Sequence, residues 1–236
     1  METESSQKPQ PCPYFPQSGL VSDIDLIESD GEPKEQYNEL LPRGYRRIGG
    51  FFYNARCEGC NECVPIRLRP ELFVPSKGQR RTLRDNTDVR VELRVPTLDG
   101  RRLALYNSYL HSKHPSSADA SPEQHEAVLA SMHYGYPAVI EMDYYVAGTL
   151  VGVGIVDETH DALSANYFYY DTTALRRRPG VFSILMEIEI ARRLGKKHYY
   201  LGYWIKGTPK MSYKADFRPH ELLIRGSWQE ESAAQM

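Results

Sequence analysis

The chain has 236 residues with 29 Lys and Arg against 31 Asp and Glu, a net charge of −2, so no global basic field marks it as a nucleic-acid binder. No apolar run approaches the roughly 18 residues of a membrane span. The polar, Pro-rich start METESSQKPQPCPYFP has no apolar signal core, so the cytoplasm is the expected compartment and the four cysteines are expected to be free, catalytic or metal-bound rather than disulfide-linked.

In chain order, residues 1–10 are expected to be disordered. PCPYFP is an extended anchor, because Pro on both sides of Cys12 disfavours helix. Residues 17–34 are acidic and carry few signals. EQYNELL predicts a short helix ended by Pro42, and RRIGGFFY a strand broken at Gly49-Gly50. Cys57, Cys60 and Cys63 then form a CxxCxxC run before the alternating VPIRLRPELF. Ser76 and Gln79 have capping-box spacing, which predicts a basic helix over SKGQRRTLRDN. VRVELRV alternates as a half-buried strand. GRRLALYNSYLHSKH is a helix through Leu103, Tyr106 and Leu110, and Ser121-Pro122-Glu123-Gln124 opens another that runs to about His133.

AVIEMDYY, TLVGVGIVDE and ALSANYFYYD predict a three-strand antiparallel meander. After a basic loop, Ile184, Leu185, Ile188, Ala191 and Leu194 mark the buried face of a helix capped by Gly195. HYYLGY is the next strand, Met211–Ala215 one helical turn, and HELLIRG the final strand. A composition change near 95–100 divides the chain into a cysteine-containing N-terminal lobe, 11–97, and a catalytic domain, 98–228, with a frayed tail at 229–236.

Meander, basic loop, helix, strand is the order of a GNAT-like acyltransferase core, so the fold class is α+β: an antiparallel or mixed sheet flanked by helices, beside the smaller lobe. Here the loop Arg177-Arg178-Pro179-Gly180-Val181-Phe182 has Phe where a small residue would let backbone approach a diphosphate, which argues against coenzyme A. From Tyr199 to Glu221, cations alternate with aromatics, a combination suited to phosphates with exposed bases. No Gly-x-Ser-x-Gly elbow is present, and Ser164 and Ser183 have no base nearby in sequence. His111, His114 and His125 lie near helix ends and are expected at the surface or as caps.

YFYYD, FSILMEIE, HYYLGYWIKG, PKMSYKADFRPHEL, CPYFP, CxxCxxC and PSKGQRRTLRDN together resemble the aminoacyl-tRNA–protein transferases, over roughly residues 11–226. The pattern is similar to the short bacterial aspartate/glutamate leucyltransferase type and to the catalytic parts of arginyl-tRNA–protein transferase. It departs in having Arg178-Pro179-Gly180-Val181 before FSIL, and Thr208 after KG. The resemblance implies a charged tRNA donor carrying leucine or, alternatively, arginine. It also implies a protein acceptor with N-terminal Asp or Glu, and a product marked for N-terminus-dependent degradation. A coenzyme A-dependent N-acetyltransferase and a non-catalytic cysteine-metal RNA-binding module are the competing readings.

The chemistry expected is direct aminolysis of an aminoacyl ester by the acceptor's α-amine. Asp171 is the first candidate for proton handling, with Asp157 and Glu141 behind it. Arg177, Gly180, Tyr203, Lys206, Lys210, Tyr213 and Lys214 are the candidates for the aminoacyl-tRNA end. Arg46, Arg47, Arg80 and Arg81 are those for the acceptor's acidic side chain. Cys12, Cys57, Cys60 and Cys63 are candidate ligands of a structural or regulatory zinc ion or iron–sulfur cluster; the transfer itself requires no cofactor. A monomer is expected.

Overall fold

The computed structural model describes residues 10–230; residues 1–9 and 231–236, most of the predicted disordered ends, lie outside the described residues. The elements in chain order begin with β1 (Gln10–Pro11), β2 (Val21–Ser22), β3 (Ile24–Glu28), α1 (Pro33–Leu40), β4 (Arg46–Ile48), β5 (Phe51–Ala55) and β6 (Val64–Leu68). α2 (Lys77–Arg84), β7 (Val89–Arg94), α3 (Gly100–Lys113), α4 (Pro115–Ala118) and α5 (Pro122–Tyr134) follow. The rest are β8 (Val139–Val146), β9 (Thr149–Glu158), β10 (Ala162–Tyr170), α6 (Pro179–Arg193), β11 (His198–Trp204), α7 (Pro209–Ser212), β12 (Glu221–Ile224) and β13 (Ser227–Glu230).

One mixed sheet of eight strands runs β13-β12-β6-β11-β10-β9-β8-β7. Its one parallel pair is β10 with β11, and α6 is the crossover between them. That is the meander–helix–strand order expected of the α+β class. The sheet crosses the boundary drawn at 97/98, since β6 and β7 pair within it. It also takes in Gln229 and Glu230, assigned above to the tail: the Gly226 turn lets β13 pair with β12. β3-β5-β4 form a separate three-stranded sheet, and Gly49-Gly50 is the turn of its hairpin.

Both capping boxes close as predicted, at Ser76/Gln79 and Ser121/Gln124. One apolar core lies against α6, where Ile184, Leu185, Ile188 and Ala191 meet Ile66, Met142, Leu163 and Leu201. The other joins α1, α3, α5 and the small sheet through Tyr37, Phe52, Tyr106, Leu129 and Ile155. Leu194, expected on the buried face of α6, is 45% exposed because it caps the helix rather than continuing it. His125, expected at the surface or as a cap, is buried with Nε2 2.9 Å from the Ser117 carbonyl. No helix among the described residues is long and apolar enough to cross a membrane.

α3 is tied to β8 by a buried charge cluster. Arg102 reaches Glu141 Oε1 at 2.6 Å and Asp143 Oδ2 at 2.6 Å, and both acids are fully buried. Burial pushes Glu141 up, but His133, the Thr97 N–H and Arg102 outweigh it and hold the carboxyl below its ordinary range. Removing the cation leaves two buried acids without it. Arg102→Met is therefore expected to destabilise the fold by about 3–5 kcal/mol, read as a shift of the urea midpoint. A midpoint unchanged from wild type would show that the cluster does not hold α3.

Candidate active site

β10 and β11 pair only where Ala162–Ser164 faces His198–Tyr200. Beyond that both strands are bulged, β10 between Ala165 and Tyr167 and β11 between Tyr200 and Gly202, and their mutual pairing stops although each continues. Gly202 adopts φ +92, a conformation that L side chains rarely take. A Cβ there would lie 3.3 Å from Lys214 Nζ and 3.5 Å from Arg46 Cζ. Two cationic groups thus rest against bare backbone where the strands part.

Arg46 is delivered from β4 and is 8% exposed. Its Nη1 donates to Ser164 Oγ at 2.8 Å and its Nη2 to the Ala165 carbonyl. Lys214 arrives on the helical turn after α7, and its Nζ donates to the Tyr203 carbonyl at 3.1 Å. Burial first, and Arg46 second, lower the Lys214 amine to about 7 against the pull of Glu187. Glu187 lies on α6, 3% exposed, and accepts from Ser183 Oγ at 2.8 Å and Tyr199 OH at 2.7 Å. Burial raises its carboxyl to about 7, opposed by those two hydrogen bonds and by the charges of Arg46 and Lys214.

The N-terminal lobe walls the other side. The Tyr14 and Tyr53 phenols both feel the Arg46 charge and the Cys63 thiol. The Phe15 ring is 3.4 Å from where a Gly207 Cβ would stand, so PCPYFP lies over the loop after β11.

Of the residues expected to bind the tRNA end, Gly180 and Tyr213 meet, with Tyr213 OH 3.9 Å from a Cβ placed on Gly180. Lys206 and Lys210 are exposed on the loop and turn after β11. Tyr203 is instead buried in the seam with the small lobe, its OH 3.4 Å from both the Gly44 carbonyl and Asn54 Oδ1, and offers no stacking face. Arg177 is engaged by both oxygens of Asp88, at 2.5 and 3.0 Å. Phe182 packs in the core, 6.0 Å from Tyr144 between ring centroids, rather than over the loop where it was expected to obstruct a diphosphate.

The expected acceptor arginines separate. Arg47 is buried on Asp157, Nη2 to Oδ1 2.7 Å, and donates to the Met132 carbonyl at 2.9 Å. Arg80 and Arg81 point to solvent from α2, one donating to the Pro75 carbonyl and the other 3.6 Å from Asp85. Only Arg46 of the four reaches the cleft.

The three proposed proton-handling acids are each engaged by other groups. Asp171 caps the following helical turn, accepting from Thr173 N at 2.9 Å and Thr173 Oγ1 at 2.8 Å. Asp157 is held by Arg47 and Asn166, and Glu141 by the Arg102 cluster. Glu187, buried on α6, is an acid on which the charges of both Arg46 and Lys214 act. Its signal in the sequence was a carboxylate inside the apolar face of α6, four residues after Ser183.

The cysteines are all free; Cys12 is buried and Cys57, Cys60 and Cys63 are half-buried. They gather, since the Cys63 thiol is pushed up to about 12 by burial and then by Cys57, Cys12 and Cys60. Cys57 Sγ accepts from Asp23 N at 3.3 Å. Among the described residues no group of three or more His, Cys, Asp or Glu side chains is arranged to hold a metal ion. The four thiols are neighbours in the N-terminal lobe.

Residues 10–81 match the family model described as arginine-tRNA-protein transferase, N terminus, and residues 101–224 that described as its C terminus. Three curated relatives, each an aspartate/glutamate leucyltransferase, align over nearly their whole length. That of Pseudoalteromonas atlantica is 36% identical, covering 93% of both chains. That of Halorhodospira halophila is 36% identical over 92% of both. That of Marinobacter nauticus is 38% identical over 95% of this chain and 94% of its own. Among solved structures, a GCN5-related glucosamine N-acetyltransferase region of a fungal multi-domain enzyme has a TM-score of 0.44 at 9% identity, covering 84% of this chain and 22% of that one. On the two family models and these full-length relatives, the chain belongs to the arginine-tRNA-protein transferase family.

Proposed function

We propose that the protein transfers leucine from aminoacyl-tRNA to the α-amine of proteins that begin with Asp or Glu, marking them for N-terminus-dependent degradation. The observation that carries this is the end-to-end likeness to aspartate/glutamate leucyltransferases at 36–38% identity. The cleft between β10 and β11 supports it, because it sets cations and a titratable acid where the strands part. Arginine as the transferred residue is the second reading, favoured by the description of the family model.

The donor ester is already activated, so the protein's task is to bring amine and ester together; good orientation is worth about 7–11 kcal/mol. The acceptor amine has an ordinary pKa near 8, so roughly a tenth is neutral at pH 7. Glu187 is the group we assign to take the ammonium proton, replacing Asp171, Asp157 and Glu141 in that role. A base with a pKa near the working pH combines availability with strength. Exposed Lys206 and Lys210, with Gly180 and Tyr213 at the start of α6, form the face we assign to the end of the tRNA.

The transfer uses no redox step, so we propose no cofactor for it. Any zinc or iron–sulfur centre on Cys12, Cys57, Cys60 and Cys63 has a structural or regulatory part. A cytoplasmic monomer acting beside charged tRNA completes the reading.

Parallel assays with leucyl- and arginyl-tRNA and a peptide beginning with Asp are expected to show label transfer from leucyl-tRNA. Transfer from arginyl-tRNA alone would select the second reading, and transfer from neither would sink both. Glu187→Gln is expected to lower kcat by about 100-fold or more. Ionised Glu187 and the neutral amine both gain with rising pH, so wild-type kcat should climb through pH 7. The variant should lose the part of the rise that Glu187 contributes and keep only the amine's, with its circular dichroism spectrum unchanged. A wild-type pH profile in the variant would remove Glu187 from the reaction.

A further inference from the structure

The transferase reading leaves open what recognises the acidic first residue of the acceptor, and the following rests on that reading. We propose that Arg46 and Lys214, side by side against the bare backbone of Gly202, form the subsite that receives the side-chain carboxylate of the acceptor's N-terminal Asp or Glu.

Three observations carry this. The first is an imbalance of charge. Elsewhere in this fold buried or half-buried arginines meet acids: Arg47 meets Asp157, Arg67 meets Glu221, and Arg102 meets Glu141 and Asp143. Arg46 and Lys214 form no ion pair among the described residues; their bonds go to the Ser164 hydroxyl and to the Ala165 and Tyr203 carbonyls. Asp157 acts on Arg46, and Glu187 on Lys214, without a direct ion pair, so the two neighbouring cations still repel each other.

The second is close approach. Position 202 has no side chain, and a Cβ there would stand 3.3 Å from the ammonium and 3.5 Å from the guanidinium carbon. The bulge and the positive φ thus let both cations pack side by side against the same bare backbone.

The third is the pattern of charge beyond the pair. An N-terminal acid carries a carboxylate and an α-ammonium a few bonds apart. Arg46 and Lys214 lie close enough to Glu187 to shift its carboxyl, so a cationic pair stands next to an acid, the complement of that arrangement. A tRNA phosphate suits the site less well. Arg46 is 8% exposed between strands, whereas Lys206 and Lys210 stand free at the surface for a bulky phosphodiester.

The test is steady-state leucine transfer with each substrate varied in turn. In Lys214→Met, KM for an Asp-initiated peptide is expected to rise about 10- to 100-fold, as for loss of a charge-assisted hydrogen bond, with KM for leucyl-tRNA unchanged. Arg46→Gln should act in the same direction. Because Arg46 also braces Ser164, a measurement on the unaltered protein accompanies it. With lysine labelled at Cε, the Lys214 resonance, identified by its loss in Lys214→Met, should move saturably with the Asp-initiated peptide in the absence of tRNA. The matching Asn-initiated peptide should leave it in place. A rise in KM for leucyl-tRNA alone would overturn the proposal and assign the pair to the donor. A Lys214 resonance indifferent to the Asp-initiated peptide would overturn it as well. A peptide-dependent shift in a protein that transfers from neither charged tRNA would support the subsite while rejecting the transferase reading, so the two fail separately.

Discussion

The buried ion pair between Arg47 and Asp157 is the constraint on which the cleft depends. Its partners are 110 residues apart in the chain and 2.7 Å apart in space. Asp157 Oδ2 accepts from Asn166 at 2.9 Å, and Arg47 donates further to the Gly49 and Met132 carbonyls, so the pair is hydrogen-bonded on both sides. That is the condition under which a desolvated pair is tolerated. It clamps β4 to β9. Ser164 stands directly across from Asp157 in the β9–β10 pair, so fixing Arg47 on Asp157 brings its neighbour Arg46 to Ser164 and the gap between β10 and β11. The small lobe therefore supplies a cation to a site whose floor belongs to the large sheet, and neither part makes the site alone.

The tail after β11 is held as firmly. Gln79 Nε2 on α2 donates to the Asp216 carbonyl at 3.2 Å, and Phe217 is buried with its ring 6.0 Å from that of Phe73. Lys214 is thus set between two anchors: its own bond to the Tyr203 carbonyl and the packing of Phe217. A lysine usually keeps its charge in water by swinging outward. Here the backbone is fixed on both sides of the residue, so the amine stays shielded and its affinity for a proton falls.

Local features were legible in the sequence and distant ones were not. Both capping boxes close where Ser and Gln stand three apart, because their partners lie within one turn. The meander was legible from its apolar strands and short turns. β3 was not, because IDLIE interleaves acids with apolar residues and gains its strand character only by pairing with β5. In the site, the basic aromatic tail indicated Tyr213 and Lys214, and RRIGG placed Arg46 among four arginines. What sorts those four is the acid or carbonyl each one meets, and for Arg47 that acid comes from a remote strand. The same holds for Asp171, Asp157 and Glu141: each sits at a suggestive place in the sequence, and each is engaged by a cap or a cation. Glu187 and Gly202 are informative only once the third dimension brings Arg46 and Lys214 beside them.

The start of α6 bears on the choice of donor in a way that Phe182 does not. A helix N-terminus binds anions through its free amide hydrogens. Pro179 has none, and those of Val181 and Phe182 are both held at 3.0 Å by the Arg178 carbonyl. Arg177, the loop's obvious phosphate ligand, is engaged by Asp88. Such a turn has little left to surround a diphosphate, whose two phosphates need several donors at once. A single terminal phosphate asks less, and the exposed lysines after β11 lie in the stretch of chain that supplies the rest of the cleft. The features that make this loop a poor cradle for coenzyme A are therefore the ones a polynucleotide donor can do without.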